Sequence, residues 1–248
     1  MNTALLLSGG TGSRIQTDIP KQYIRVADKM IITYSLETLV NASVIDNIYV
    51  VAAKEWREEI IADAKQHGIC TDKVAGFAVP GTSRQFSILN GLRCIVDINA
   101  CDVDTVLIHD AARPRLTEAQ ISACYAALDG HDGVLPVLPM KDTVYLSEDG
   151  SQVTELLDRS KLFAGQAPEL FCLRKYYQAN VMLLPDRISQ INGSTEPAIL
   201  AGMDIVMIPG DEGNFKITTN ADMERFQELI THRYPPAGLE RGLETSIF

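Results

Sequence analysis

The stretch Leu5-Leu6-Leu7-Ser8-Gly9-Gly10-Thr11-Gly12-Ser13-Arg14, followed by Pro20-Lys21-Gln22-Tyr23, decides how the rest of the chain is read. An apolar run beginning at Thr3 predicts a buried strand, and it empties into Gly9, Gly10 and Gly12. Glycine leaves no side chain in the way and reaches dihedrals other residues avoid, so the backbone N–H groups of such a loop can converge on an anion. Arg14 at the loop's end and Lys21 behind Pro20 add two cations. Backbone donors with two positive charges suit a polyphosphate; a glycine turn beside two solvated cations is the plainer alternative. Spacing excludes two common phosphate loops. The dinucleotide fingerprint needs a third glycine where this chain has Ile15, and a Walker loop needs Gly-Lys-Ser/Thr where Gly12 precedes Ser13-Arg14.

The 248 residues, 46% hydrophobic and 22% charged, predict one globular domain over 1–234 with a sizeable core and a loose tail at 235–248. No stretch holds the roughly 18 unbroken apolar residues of a membrane span. The N-terminus goes straight into the strand with no basic region ahead of it. A soluble cytoplasmic protein is the expectation. Five scattered cysteines lack metal-ligand spacing and read as small buried or half-buried thiols. The net charge of −10 argues against a nucleic-acid partner and makes a local concentration of cations more telling.

Working outward from the loop, helical spacing over 31–39 and 55–67 alternates with strand patterns over 47–53 and 74–79. A further helix, capped by Thr82 or Ser83, runs to about Val96. Then come a strand over 105–109 and a helix over 117–128. This alternation predicts an α/β fold, a mostly parallel sheet with helices on both faces. Ligands gather at the carboxyl ends of such strands, where the loops after Leu7, Val79 and His109 lie. The rhythm then breaks. After a strand over 133–139, residues 141–163 alternate as a hairpin around Glu148-Asp149-Gly150 and are expected to project. A two-stranded arm is marginal alone, so packing against a second subunit is expected. The chain returns to the sheet at 163–166, forms a helix over 173–182 and a strand over 204–208, and ends in a helix capped by Asn220.

Arg84 and Ser87 share one face of a helix's first turn. Asp110 ends a buried strand, where a carboxylate requires a metal, a ribose or a donor such as Arg113. His109 reads as a core or rim histidine, and Lys216 lies in a strand-like run.

In order along the chain stand G-G-x-G-S-R, P-K-Q-Y, G-x-x-R-x-x-S, H-D-A-A-R-P, D-T, D-R…G-Q-A-P-x-L-F and N-F-K-I-T-T. This set resembles the cytidylyltransferases that join CTP to a polyol phosphate, among them the 2-C-methyl-D-erythritol 4-phosphate and ribitol 5-phosphate enzymes. The resemblance implies a Rossmann-like sheet and a homodimer clasped by the hairpin arm. It places CTP on Leu7, Ser8, Gly9, Gly10, Thr11, Gly12 and Ser13, with Gly81, Arg84, Ser87, Asp110 and Ala111 about the nucleoside. Arg14 and Lys21 would cover charge on the α-phosphate, and Asp110, Arg113 and Ser194 would meet the polyol. Thr143 and Arg159 would reach from the arm into the partner's site and, with Lys216, position the substrate phosphate. Mg²⁺ would be held mainly by the CTP phosphates. One departure stands out: Ser194-Thr195-Glu196-Pro197 replaces the family's T-D-(D/E)-A, removing a carboxylate and a backbone donor. The rival reading is a non-catalytic CTP- or CDP-polyol-binding protein on the same fold. Retention of Arg14, Lys21, Arg159 and Lys216 favours the enzyme.

Overall fold

Period-two alternation divides the first apolar run between two cores. In the computed structural model, which describes residues 1–10, 19–96, 101 and 103–233, the strand β1 (Asn2–Leu7) sends Ala4 and Leu6 to one face of a sheet, and Leu5 and Leu7 to the other. Thr11, Gly12, Ser13, Arg14 and the tail lie outside the described residues. The chain continues through β2 (Arg25–Val26), β3 (Lys29–Met30), α1 (Ile31–Asn41), β4 (Asn47–Val51), α2 (Arg57–Gln66), β5 (Val74–Ala78) and α3 (Arg84–Val96). Then follow β6 (Thr105–Asp110), α4 (Glu118–Ala127), β7 (Gly133–Pro139), β8 (Val144–Leu146), β9 (Glu155–Leu157), β10 (Phe163–Gly165) and β11 (Glu169–Cys172). The last elements are α5 (Leu173–Val181), α6 (Glu196–Leu200), β12 (Ile205–Pro209) and α7 (Asn220–Arg233).

The main sheet runs β10-β7-β11-β6-β1-β4-β5, with β12 pairing β7 in parallel. Only β10 and β11 run against the rest, so the sheet is mostly parallel, as the alternation predicts. Leu36, Leu39, Ile60 and Ile121 bring α1, α2 and α4 onto the Ala4/Leu6 face. Ile88, Leu92, Leu173 and Tyr176 bring α3 and α5 onto the opposite face. Both faces are therefore covered, and the strands' carboxyl ends remain as the open edge.

Several local expectations change. Residues 169–172, read only as part of a motif, form β11, inserted antiparallel between β6 and β7. The last helix is capped by Thr219, not Asn220: Thr219 Oγ1 accepts from Asp222 N at 3.2 Å, and Asp222 Oδ2 accepts from Thr219 N at 2.8 Å. That reciprocal pair satisfies two donors at the helix start. The run holding Lys216 is not a strand; Ile217 N donates to Ala112 O and no ladder follows. Pro197 removes no helical bond, because it stands in the first turn of α6, whose N–H groups have no partner within the helix. Cys124 is buried and Cys94 and Cys172 half-buried, whereas Cys70 and Cys101 lie exposed in connections between elements.

Candidate active site

Gln22 and Tyr23 shape the glycine loop from behind. Gln22, itself buried, donates from Nε2 to Ser8 O at 2.6 Å and to Gly10 O at 2.7 Å. Tyr23 stacks on Trp56 and donates from its hydroxyl to Ser8 O at 2.9 Å. The loop's carbonyls are thereby drawn inward. Ser8 N–H is engaged by Val51 O at 3.0 Å and is not available to a ligand. The loop also packs tightly on the segment after β5, because a Cβ on Gly9 would meet Pro80 Cβ at 2.7 Å. At Gly81 a Cβ would lie 2.6 Å from Phe86 C and 2.8 Å from Ser87 N, both backbone atoms that cannot yield.

Ser83 caps α3, its hydroxyl accepting from Phe86 N at 3.2 Å. Ser87 Oγ accepts from Gly81 N and donates to Ser83 O, both at 2.9 Å. Its hydroxyl thus holds the 81–83 loop. Arg84, one turn earlier, reaches the end of β6, where Nη2 and Nε donate to Asp110 Oδ1 at 3.0 and 3.2 Å. Lys216 Nζ donates to Asp110 Oδ2 at 2.8 Å, and Arg113 Nε lies 4.0 Å from the same oxygen. Burial alone would raise the Asp110 pKa, but the charges of Arg84 and Lys216 overcome it and hold the carboxyl well below its usual range. Asp110 is therefore a fixed anion that ties two cations together.

Two cavities meet at this cluster and share Arg84, Asp110 and Lys216. The first, about 390 Å³, is walled by Ser8, Gly9, Gly10, Lys21, Gly81 and Ser87. Ala111 is fully buried in the core, and its neighbour Ala112 lines this cavity instead. The second, about 480 Å³, is walled by Arg113, Glu169, Ser194, Thr195 and Glu196. Apart from Ala111, the described residues expected for CTP line the first cavity, and Arg113 and Ser194 line the second. Thr143 and Arg159 join neither. Both are exposed, and Arg159 Nη1 donates to Lys141 O at 2.7 Å at the base of the arm. Sequence reasoning missed Glu169 as a wall of the second cavity; the available signal was a lone acidic residue between Pro168 and the apolar Leu170-Phe171.

The two cavities are knitted together from behind. Tyr176 donates to Ser194 O at 2.6 Å, and Gln85 on α3 donates to the Tyr176 hydroxyl at 3.3 Å and to Asn180. The helix carrying Arg84 and the loop carrying Ser194 therefore share one buried network.

A family model described as IspD: 2-C-methyl-D-erythritol 4-phosphate cytidylyltransferase matches residues 3–232. The chain is 33% identical to a bifunctional enzyme IspD/IspF of Maricaulis maris, covering 92% of this chain and 56% of that protein. It thus spans little more than half the length of that relative, and 61% of the length of the bifunctional enzyme of Paramagnetospirillum magneticum. It is 32% identical to the 2-C-methyl-D-erythritol 4-phosphate cytidylyltransferase of Geobacter metallireducens, covering 94% of this chain and 98% of the relative. To the ribitol-5-phosphate cytidylyltransferase of Lactiplantibacillus plantarum it is 30% identical, over 93% of this chain and 98% of that one. The crystal structure of the Francisella tularensis 2-C-methyl-D-erythritol 4-phosphate cytidylyltransferase shares the fold, with a TM-score of 0.76 over 92% of this chain and 100% of that one at 22% identity. By a family match across nearly its whole length, the chain belongs to the IspD family of cytidylyltransferases.

Proposed function

We propose that the protein transfers the cytidylyl group of CTP to the phosphate of a polyol phosphate. The observation that carries this reading is the Asp110 cluster, which holds Arg84 and Lys216 at the seam between a glycine-walled cavity and a polar one. A phosphate monoester, with a second pKa of about 6, is mostly a dianion at neutral pH. Its oxygen attacks the α-phosphorus, the bond to the bridging oxygen of the β-phosphate breaks, and pyrophosphate leaves. No general base is required. The protein's task is to align two anions that repel each other and to cover the charge that develops between them. In this reading Lys21 and Arg14 cover the α-phosphate, while Lys216 and Arg113 receive the acceptor.

Magnesium belongs to the same reading. Among the described residues no group of three or more His, Cys, Asp or Glu side chains is placed to hold a metal ion, and both oxygens of Asp110 are engaged by cations. Mg²⁺ would therefore sit mainly on the triphosphate oxygens, supplying charge neutralisation there. No helix of the described residues is long and apolar enough to cross a membrane.

The test is a pyrophosphate-release assay of the four nucleoside triphosphates against ribitol 5-phosphate, 2-C-methyl-D-erythritol 4-phosphate and other polyol phosphates. We expect turnover with CTP and a strong preference over UTP, because a pocket that hydrogen-bonds the cytosine amino group leaves its own polar groups unpaired when that group is absent. Equal turnover with UTP removes the cytidine assignment. CTP binding without pyrophosphate release under any pairing supports a binding protein instead.

A further inference from the structure

Among the described residues, seven buried side-chain nitrogen or oxygen atoms have no hydrogen-bond partner. Three of them, Arg113 Nε, Glu169 Oε2 and Ser194 Oγ, belong to walls of the second cavity. Each such atom costs about 1–3 kcal/mol while it stays unmatched. Three on one cavity mark a place that awaits polar partners rather than scattered packing faults.

Their chemistry limits what those partners are. Arg113 Nε can only donate, an ionised Glu169 can only accept, and Ser194 can do either. A phosphate offers only acceptors. It suits Arg113 and Lys216 and is repelled by the Glu169 carboxylate. A hydroxyl both donates and accepts, so it can give its proton to Glu169 and take one from Ser194. Glu169 is more than nine-tenths buried, at the start of β11 where that strand pairs with β6 at Ile108. Its position is thus set by the sheet rather than by a mobile loop. Burial raises its pKa, while the charge of Arg84, the adjoining Ser194 hydroxyl and the charge of Arg113 favour the charged form. In either protonation state it keeps an oxygen that accepts from a hydroxyl.

Building on the proposed transfer to a polyol phosphate, we propose that Glu169 is the acceptor-selecting residue. Its carboxylate takes a hydrogen bond from one hydroxyl of the polyol, with Ser194 beside it, while the acceptor's phosphate lies toward Lys216 and Arg113. An acceptor with hydrogen or methyl at that place leaves a buried carboxylate unpaired, and one with a second acid group is repelled.

The experiment compares kcat/KM for the polyol phosphate that wild type uses best with each of its single-deoxy analogues, in wild type and in Glu169→Ala. Phosphoethanolamine serves as a cationic control. Loss of a hydrogen bond to a charged group predicts that wild type disfavours one deoxy analogue by roughly 10- to 100-fold. In Glu169→Ala that ratio should collapse to within about threefold, with the other ratios kept. Should the alanine variant fail to fold, Glu169→Gln preserves the volume, and its ratio should fall at the same hydroxyl and no other. A merely structural Glu169 would lower parent and analogues by one common factor and leave every ratio intact, which overturns the assignment. Preference of wild type for phosphoethanolamine overturns it too, since the carboxylate would then serve an ammonium. If wild type releases no pyrophosphate from CTP with any polyol phosphate, the transfer reading fails and this one falls with it. Activity in wild type with unchanged hydroxyl discrimination in the variant refutes the role of Glu169 alone.

Discussion

His109 and Asp110 are consecutive, buried, and answer pH in different windows. His109 Nε2 faces Arg113 O at 3.0 Å, so that nitrogen carries the proton, and Nδ1 is buried with no partner. Protonating Nδ1 would add a charge and an unmatched N–H to the core. Burial accordingly lowers the His109 pKa from 6.5 to about 4. A histidine depressed in this way contributes stability that is fully present above pH 6.5 and is lost as pH falls toward 4. The difference corresponds to about 3 kcal/mol. Asp110 is depressed as well, yet its contribution begins to fade only below the ordinary aspartate pKa of about 3.9, so the two windows separate. His109→Gln keeps an N–H for Arg113 O and cannot titrate. Denaturant unfolding at pH 6.5 and pH 4 should therefore show wild type losing about 3 kcal/mol more than the variant between the two. Equal losses would mean that His109 becomes solvated when protonated.

At the scale of elements, the short turn at 21–23 acts as a strap on the glycine loop. Gln22→Ala leaves Gly10 O without its Gln22 bond, while Tyr23 still serves Ser8 O. Missing bonds of this kind cost about 1–3 kcal/mol, enough to raise the KM for CTP roughly tenfold as the loop loses its set. Gln22→Glu should be worse, because it turns acceptor oxygens toward two carbonyls. Steady-state kinetics with CTP and a melting curve check both; a Gln22→Ala enzyme with unchanged KM would show the loop held by other contacts. The strap was legible in part. P-K-Q-Y marked it, but sequence pointed to Lys21, since a glutamine's reach to backbone carbonyls leaves no pattern. The strands β1, β4 and β6 were legible because parallel strands buried on both faces read as apolar runs, whereas β5, at the sheet's edge and buried fully only at Ala78, gave a short and weak pattern. β11 was not legible, because its four residues follow a proline and begin with the buried Glu169. Missing that strand also hid the side chain that faces the second cavity. The β2–β3 pair escaped for another reason: its turn, Ala27-Asp28, takes φ of +48° and +61° without the glycine that normally announces it.

For the molecule as a whole, the arm is the part that its own chain does not complete. β8 and β9 pair only with each other, three residues apiece, and expose Tyr145, Leu146 and Leu156, with Val153 exposed in their connection. A ribbon that small is not stable by itself in water. Arg159, at its base, is tied to Lys141 O and lines neither cavity of its own chain, although the family resemblance gives it a substrate-side role. We propose that both observations reflect a homodimer in which each arm finishes the other subunit's site. Arg159→Ala and Lys21→Ala proteins should then each be nearly inactive alone. In the composite arrangement a site takes Lys21 from one subunit and Arg159 from the other. A mixed dimer of the two variants therefore carries one site with both residues intact and one with neither. With equal amounts and random pairing, half the dimers are mixed and half their sites work, so activity should recover to about a quarter of wild type. Sedimentation fixes the oligomeric state, and a tagged copy verifies exchange before the assay is read. A monomer, or no recovery after verified exchange, would confine Arg159 to its own subunit or remove it from the site.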